Sequence, residues 1–448
     1  MISSWLIPCL PRFLRELLAE RSYLQRVIDN TGWVFVERIL RHTIGFLVGV
    51  WVARYVGLEQ YGLINFAVAF VFVFASLSTL GLDGIAVRDI VRNSESRDET
   101  LGTLVLMRLV GAALMTLIVV AAVVVLKPAD PRASPLIIVI SLGQLLLAFD
   151  SLDCWFQANM SSRRTFVPRV IAVAVSAALR MALIVLHAPL IAFAWVITAE
   201  TVVLAVGIVS VYRRSGQRLA ALKPTFGRAK ALLQEGWPLF LCALVVAVAQ
   251  RIDQVMLGEM ADYSEVGAYA VAVRIIEVTY IIPTVLATSI FPAMVKSRAA
   301  DDGRYQTQVE RLYGAALWLA VVIAIPLSLF AAPIVHVLVG GAYSTAALPL
   351  AVLAWMPVLA FFSVLRQRWL LAEHALPAAL AVELAACVLN VLCNLALIPR
   401  FGATGAAISC LISSAGATLV TAPFSKNISR SLVMLLRGIF VPFRWLKH

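Results

Sequence analysis

The sequence predicts an all-α, polytopic membrane protein, and three observations support that prediction. Apolar residues make up 61% of the 448-residue chain and charged residues only 14%, against roughly 25% charged residues in a typical soluble domain. Too little charge remains to cover the surfaces of the soluble domains that this length would otherwise form. The apolar residues are gathered into runs of about 20, the length of a helix that crosses a bilayer. A water-soluble enzyme is therefore excluded first.

The apolar runs and the polar breaks between them predict about 12 transmembrane helices, divided six and six by the longest connection. We expect a cytoplasmic amphipathic N-terminal segment at 1–32, an N-lobe at 33–212, a cytoplasmic inter-lobe loop at 213–235, a C-lobe at 236–424 and a basic cytoplasmic C-terminal segment at 425–448. The predicted spans are 33–53, 61–82, 101–126, 135–156, 166–187, 190–212, 236–258, 266–294, 312–332, 346–365, 375–398 and 403–424.

The distribution of positive charge predicts the orientation of the chain. Of the 37 Lys and Arg residues, 26 lie in the termini and in connections after even-numbered spans, and four lie in connections after odd-numbered spans. Because Lys and Arg are retained on the cytoplasmic side, both termini are expected to be cytoplasmic. The same retention explains the net charge of +12, so nucleic acid is not an expected partner.

The two halves carry an internal repeat. A shift of 205 positions aligns four residues of the second span with four of the eighth. Each half holds an even number of predicted spans, so the repeats run parallel and indicate an ancient duplication. The aligned pairs are Gly62 and Gly267, Ala67 and Ala272, Val68 and Val273, and Thr79 and Thr284.

Six arginines lie five or more residues inside the ends of predicted spans, where a charge at the helix centre costs about 2.5–3.5 kcal/mol. They must therefore snorkel to the surface, pair with acids or line water. In the first span, Arg38 and Arg41 share one face, and Glu37 lies four residues before Arg41, the spacing of a helical ion pair. Two interpretations stay open for this face: snorkelling with a Glu–Arg pair, or a cationic cavity wall.

A second polar zone is predicted in the second half of the chain. Arg251 and Asp253 interrupt the seventh span, and Arg274 and Glu277 lie one turn apart on the eighth. The two arginines have similar depth, so they either line one cavity zone or pair internally. Asp253 and Glu277 are candidate coupling residues, because a carboxylate beside an arginine changes its proton affinity when a ligand engages that arginine.

Three further positions have two interpretations each. Arg180 and Glu200 flank the tight turn at 187–189 and form either a hairpin salt bridge or part of the cavity. Arg108 in the third span either snorkels or lines the cavity. Glu383 begins a polar stripe on the eleventh span that either bonds to other helices or lines the cavity; the stripe continues through Cys387, Asn390 and Asn394.

Enzyme signatures are absent from the sequence. It has no phosphate-binding loop, no H-E-x-x-H, no G-x-S-x-G and no Gly-rich dinucleotide turn. The six cysteines contain no C-x-x-C pair, and the five histidines are scattered. We therefore expect no catalysis, no cofactor and no metal, and the driving force would come from an ion gradient, the substrate gradient or a partner.

Several stretches resemble the polysaccharide flippases, the Wzx-like O-antigen and repeat-unit transporters of the multidrug/oligosaccharidyl-lipid/polysaccharide exporter superfamily. Each motif is only moderately specific, but their order and their positions relative to the predicted spans make the combination stronger. The motifs are ARYVGLEQYG at 53–62, LGLD at 80–83, FDSLDCWFQA at 149–158 and NLALIPRFGATGAA at 394–407.

The resemblance implies two six-helix lobes around a central cavity that opens alternately to either side. It also implies a substrate made of an oligosaccharide on undecaprenyl diphosphate, moved across the bacterial inner membrane to its periplasmic leaflet for O-antigen, exopolysaccharide or capsule synthesis. Arginine suits a diphosphate because its planar fork binds phosphate bidentately. A single chain is the expected transport unit, with the bilayer around it and a polysaccharide polymerase and assembly proteins as further partners.

The alternatives are another exporter of the superfamily, or a membrane-embedded polymerase or glycosyltransferase. Lipid II flippases carry cavity arginines on their first and eighth spans, and Arg38, Arg41 and Arg274 resemble these arginines in placement. This sequence departs from them because its second span lacks a basic residue and two C-terminal spans are not expected. Drug exporters typically use acidic cation sites, and the polymerases need a sizeable outer loop that is not predicted here.

Overall fold

The computed structural model describes residues 22–93, 95–126, 130–280, 304–372 and 376–439, and every regular element in these ranges is helical. The all-α prediction is confirmed. The α-helices are α1 (Ser22–Val56), α2 (Leu58–Val73), α3 (Ser76–Thr79), α4 (Asp83–Arg92), α5 (Arg97–Leu126), α6 (Ala133–Gln144), α7 (Asp153–Ala158), α8 (Arg163–Val185), α9 (Leu190–Arg214), α10 (Phe226–Met260), α11 (Tyr263–Thr279), α12 (Arg304–Leu329), α13 (Ala331–Val339), α14 (Ala347–Leu353), α15 (Met356–Ala372), α16 (Leu376–Thr421) and α17 (Lys426–Ile439).

Short 3₁₀ segments join several of these helices, at Leu145–Leu152, Leu219–Ala221, Gly341–Ala346 and Ala422–Phe424. Three predicted features fall at least partly outside the described residues. These are the N-terminal amphipathic segment before residue 22, the C-terminal residues after 439, and the end of the predicted eighth span at 281–294.

The helices are long and apolar enough for a polytopic membrane protein. Within the described residues, seven helices can cross a bilayer, or ten if three bent helix pairs each count as one span. Helix α16 has 46 residues, which is about 69 Å at 1.5 Å per residue and more than twice the bilayer core. Counting it as two crossings brings the total to about eleven. The predicted number of twelve stays a prediction, because part of the eighth span is not described.

Helix α16 is divided at Gly402, and the backbone there needs glycine. Gly402 has φ +53°, and a Cβ at this position would lie 2.4 Å from Glu265 Oε2. The same carboxylate oxygen accepts a hydrogen bond of 2.6 Å from the backbone N–H of Ala403. Glu265 therefore takes up a backbone donor that the break in the helix frees.

Two other predicted spans are also broken. The second span runs through α2 and α3, and left-handed Leu80 (φ 57°) and Gly81 (φ 64°) separate it from α4. The fourth span runs from α6 into the eight-residue 3₁₀ segment Leu145–Leu152 and then into α7. Runs of 3₁₀ helix longer than about four residues are uncommon, and inside a helix they often mark a functional hinge.

The chain divides into two compact units. Unit 1 comprises Met1–Gly49 and Val71–Leu244, and unit 2 comprises Val50–Phe70 and Val245–His448. Residues 50–70 thus pack with the second half of the sequence, although they lie in the first two predicted spans. The predicted lobes at 33–212 and 236–424 have different boundaries and stay a prediction.

Unit 1 has an apolar core built on α4, α5 and the inner part of the fourth span, with Leu104, Phe156 and Tyr212 almost fully buried in it. The segment after α9 is fastened to this unit by charged side chains. Arg228 Nη2 donates to Asp89 Oδ2 at 2.6 Å, and Glu235 pairs with Arg88. The predicted inter-lobe loop therefore belongs with the first half of the chain.

Unit 2 holds residues 50–70 through several contacts. Arg54 Nε donates to the carbonyl of Leu338 at 2.7 Å. Leu338 lies at the C-terminal end of α13, where a positive charge interacts favourably with the helix dipole. The Tyr343 hydroxyl donates to the carbonyl of Ala53 at 2.7 Å, and the rings of Tyr61 and Tyr343 meet edge to face.

The repeat glycines meet each other inside unit 2. A Cβ on Gly62 would lie 1.6 Å from the carbonyl oxygen of Tyr263, and one on Gly267 would lie 2.3 Å from the carbonyl oxygen of Leu58. Helices α2 and α11 therefore cross with their backbones in contact, which only small residues permit. The alignment of these two glycines in the repeat thus has a physical reason, since each serves the same helix crossing.

We predict that Gly62→Ala destabilises the protein, because the added methyl group overlaps backbone atoms of α11 that cannot move aside independently. Overpacking of this kind costs about 1–3 kcal/mol or more. Thermal unfolding of the purified protein in detergent measures the effect, with Gly84→Ala as the matched control. Gly84 also lies in a helix, but nothing lies within 4 Å of its Cβ position. Equal unfolding temperatures for Gly62→Ala and the native chain would show that the crossing is not tight.

Candidate functional site

The first predicted span carries the exposed cations expected of a cavity wall. Arg41 Nε donates to Glu37 Oε1 at 2.7 Å, so the ion pair predicted from the spacing is present. The Arg41 side chain is still 37% exposed, and Arg38 is exposed. The pair therefore leaves guanidinium surface for a ligand, and whether this face binds one stays a prediction.

The polar zone of the second half contains an ion pair between α10 and α11 that sequence reasoning did not name. Arg251 Nη2 lies 3.4 Å from Glu277 Oε1, with the two side chains 26% and 35% exposed. Arg274 is half-buried on the same helix as Glu277, one turn before it. The two arginines thus lie on consecutive helices, Arg251 on α10 and Arg274 on α11, and Glu277 is the carboxylate that pairs with Arg251.

Asp253 does not lie with Arg251, and the expectation that this arginine sets its charge is wrong. Residues two apart on a helix point to different sides, so Asp253 turns into the interior, where it is 4% exposed. Its carboxylate accepts from the Tyr269 hydroxyl at 2.7 Å and from Asn394 Nδ2 at 2.6 Å. Asn394 Nδ2 also donates to Asn390 Oδ1 at 3.1 Å. Neutral partners therefore hold this carboxylate, and the polar stripe of the eleventh span makes the interhelical bonds.

Arg108 is buried, and whether it lines the cavity stays a prediction. It is 4% exposed and forms an ion pair with Asp83. The carboxylate of Asp83 also accepts from the Cys154 thiol at 3.5 Å. A buried arginine needs a carboxylate partner to offset its desolvation, and the turn after Leu82 supplies one.

The remaining predicted residues make ordinary pairs. Arg180 Nη2 lies 3.3 Å from Glu200 Oε2 across the turn between α8 and α9, so the hairpin salt bridge is present. Glu383 accepts a hydrogen bond of 3.1 Å from Gln367 Nε2. Among the described residues, no three His, Cys, Asp or Glu side chains come together as a metal site requires.

Sequence reasoning missed two paired arginines because they lie at the edges of predicted spans, Arg169 near the start of the fifth and Arg366 just after the tenth. Arg169 lies in α8 and pairs with Asp150 at 2.7 Å and Asp153 at 3.1 Å. Arg366 lies in α15, is 3% exposed, bonds to Thr418 and stacks on the Phe362 ring. The available signal was that Asp83, Asp150 and Asp153 lie in recognisable motifs, which called for arginine partners nearby.

We predict that Arg108→Ala destabilises the protein by about 1.5–3 kcal/mol, since it deletes a charged hydrogen bond and a buried side chain. Arg132→Ala is the matched control, because Arg132 is 55% exposed in its pair with Asp130 and exposed pairs contribute about 0–1 kcal/mol. Thermal unfolding of both variants in detergent gives the comparison. If Arg108→Ala unfolds no earlier than Arg132→Ala, the buried pair with Asp83 is not a structural requirement.

Comparison with known proteins adds a family and a fold. Residues 27–298 match the family described as "Polysaccharide biosynthesis protein". Two curated relatives come from Haloferax volcanii. "Probable low-salt glycan biosynthesis flippase Agl15" is 25% identical over 209 residues, 46% of this chain and 44% of the relative. "Probable flippase AglR" is 29% identical over 168 residues, 36% of this chain and 35% of the relative. The chain thus matches less than half the length of these relatives.

Solved transporters share the fold. "Lipid II flippase MurJ, inward closed conformation" superposes with a TM-score of 0.74 at 13% identity, covering 92% of each chain. An inward-facing multidrug transporter of the MATE family in the MOP superfamily superposes with a TM-score of 0.62 at 15% identity, covering 89% of this chain and 93% of the other. At such low identity the likeness establishes the fold alone.

Proposed function

The chain belongs to the polysaccharide biosynthesis protein family, and on that premise we propose that it is a flippase for lipid-linked glycans. In this proposal it moves oligosaccharide repeat units on undecaprenyl diphosphate from the cytoplasmic to the periplasmic leaflet of the bacterial inner membrane by alternating access. The product would serve the synthesis of O-antigen, exopolysaccharide or capsule. The family match is the observation that carries the proposal, and the shared fold with a lipid II flippase supports it.

The physical task explains why such a protein needs polar groups inside spanning helices. A diphosphate and hydroxyl-rich sugars cannot enter hydrocarbon without replacing their water, so they require a wet, cationic path. The polyprenyl tail has no such need and can remain in the bilayer. Half-exposed arginines in otherwise apolar helices are the residues that could meet the diphosphate.

The exposed fraction of each arginine side chain indicates how readily it could contact a diphosphate. Arg38 and Arg41 on α1 keep accessible guanidinium surface, and Arg251 keeps a smaller share beside Glu277. A diphosphate approaching these groups would exchange places with the carboxylates that now hold them. The Arg108 side chain is only 5% exposed in its pair with Asp83 and ranks last. We propose Arg38, Arg41, Arg251 and Arg274 as the diphosphate contacts, with Arg180 as a structural residue.

The exchange suggests how ion coupling could arise in the second half. When phosphate engages Arg251, Glu277 loses part of its cationic partner and its affinity for a proton rises. Proton uptake there would then favour release of the anion. Asp253 enters this scheme only as a separate buried carboxylate, because its partners are neutral. Both termini in the cytoplasm, a single chain as the transport unit, and a polymerase and assembly proteins as partners belong to the same proposal.

We predict that the double variant Arg41→Ala/Arg274→Ala, expressed at native level, exports markedly less surface polysaccharide while still inserting into the membrane. Two positive charges that would contact the diphosphate are removed. Lysine at the same positions should restore part of the export, because charge returns but the bidentate fork does not. Complementation of a strain lacking the gene measures both effects, with Arg132→Ala as the control in an outer connection. Full export by the alanine double variant would contradict the proposed diphosphate contact.

A further inference from the structure

The break in the fourth span places two carboxylates against one arginine. Asp150 Oδ1 lies 2.7 Å and Asp153 Oδ2 lies 3.1 Å from Nη2 of Arg169 on α8. One guanidinium can balance one carboxylate, so the second carries a charge that the trio does not neutralise. The Asp150 and Arg169 side chains are 29% and 20% exposed, so the trio is partly buried, and like charges that share a partly buried site favour binding of a proton.

Asp153 is the member of the trio with unused capacity. The residue is 8% exposed, and its Oδ2 accepts a hydrogen bond of 2.9 Å from Gln157 Nε2 besides the contact with Arg169. Its Oδ1 is buried and has no hydrogen-bond partner. Buried polar atoms are nearly always satisfied, so this oxygen has an open position for a further partner, such as a proton shared with the neighbouring carboxylate or a water.

The backbone around these carboxylates is irregular. The segment Leu145–Leu152 is a 3₁₀ helix of eight residues between α6 and α7, and it contains Asp150 and ends immediately before Asp153. Irregular backbone at membrane depth is tolerated where it is enclosed by protein or lines a cavity, and discontinuous helices of this kind build the ion sites of transporters. The break therefore adds a second, independent observation at the same place.

The surrounding elements do not supply the missing positive charge within the described residues. Arg108 on α5 is already paired with Asp83, and Cys154 donates its thiol to the same carboxylate. Glu37 on α1, which also lies within electrostatic range of Arg169, is paired with Arg41.

The further arginines of the helices that pack here are exposed to the surface; they are Arg38 on α1, Arg163 and Arg164 on α8, and Arg213 and Arg214 on α9. Helix α9 presents Tyr212, a neutral phenol packed against Trp155, and its Glu200 is paired with Arg180. Helices α3 and α6 contain no Asp, Glu, Lys, Arg or His. The charges that act on Asp150 are those of Arg169, Arg108, Asp153 and Asp83, so this cluster holds one more carboxylate than guanidinium groups.

We propose that Asp150 and Asp153 together hold one exchangeable proton beside Arg169, forming a proton site in the first half of the chain; its use in coupled transport rests on the proposed flippase function. Binding converts one carboxylate to a carboxylic acid and leaves the trio electrically neutral. Release to water returns the trio to a net charge of −1. The site is separate from Glu277 and Asp253, which lie in unit 2.

Infrared difference spectroscopy of the purified full-length protein in lipid tests the proton directly, because a carboxylic acid has a C=O stretching band that a carboxylate lacks. Subtracting the spectrum of Asp153→Asn from that of the native protein near neutral pH should leave a band equivalent to one carboxylic acid, which shifts in heavy water. Asp150→Asn should remove the same band, since Arg169 then balances the single remaining carboxylate. This second variant keeps the test valid if Asp153→Asn does not fold.

The matched control is Asp130→Asn. Asp130 also pairs with an arginine, but it lies in a connection, where the hydrogen bond from Arg132 lowers the pKa of its carboxyl. It is ionised at neutral pH, so its replacement should leave the carboxylic-acid band unchanged. If neither Asp150→Asn nor Asp153→Asn alters the band, the proposed proton site is refuted. A sodium site in place of the proton site would also refute the proposal. It would appear as a native protein without the carboxylic-acid band whose unfolding temperature rises with NaCl but not with KCl. Asp153→Asn would abolish that rise.

The infrared result and the transport result can fail separately. If the band is found but purified protein moves no lipid-linked glycan, the proton site stands and the flippase proposal falls. If flipping is observed without the band, the proposed function stands and the site is refuted. In reconstituted vesicles that do flip, Asp153→Asn should make the rate insensitive to an imposed pH gradient, whereas Asp130→Asn should keep the native response.

Discussion

Charge inside a bilayer must be solvated by the protein itself, and this constraint organises the described helices. Hydrocarbon offers no hydrogen bonds, so a buried guanidinium needs a carboxylate or another acceptor placed by a neighbouring helix. Arg108 obtains Asp83 from the turn before α4, and Arg169 obtains Asp150 and Asp153 from the fourth span. The motifs that make the sequence recognisable are therefore, in part, the acids that hold these arginines.

The same constraint explains why several spans are broken. A continuous helix presents its acids at fixed intervals of rotation, whereas a turn or a 3₁₀ segment can redirect them. The left-handed turn at Leu80 and Gly81 precedes Asp83, and the 3₁₀ segment Leu145–Leu152 leads into Asp153. At Gly402 the break frees a backbone N–H, and Glu265 accepts it. The first two breaks thus precede acids that pair with arginines, and the third frees a backbone donor that an acid of α11 accepts.

The sequence was sufficient for the fold class and for partners that are close in the chain. Charge content and apolar runs predicted a helical membrane protein, and spacing on one helix or across one turn predicted the pairs of Arg41 with Glu37 and of Arg180 with Glu200. Distant partners could not be predicted, because spacing fixes the face of a helix but not the helix it meets. Asp253 therefore turned out to contact Asn394 rather than share the environment of Arg251. The exact ends of the helices were equally hard to predict, so the roles of Arg169 and Arg366, at the edges of predicted spans, were missed.

The central claim is that this protein carries a diphosphate-linked glycan across a bilayer, and reconstitution tests it most directly. Purified protein would be placed in vesicles that contain undecaprenyl diphosphate bearing a disaccharide with a fluorescent NBD group, and dithionite would be added to quench the outer leaflet. We predict that vesicles with the protein lose nearly all fluorescence, while protein-free vesicles keep their inner-leaflet share. The same disaccharide on undecaprenol, without the diphosphate, should remain protected in both. An inner-leaflet pool of the diphosphate lipid that persists equally with and without the protein would contradict the account.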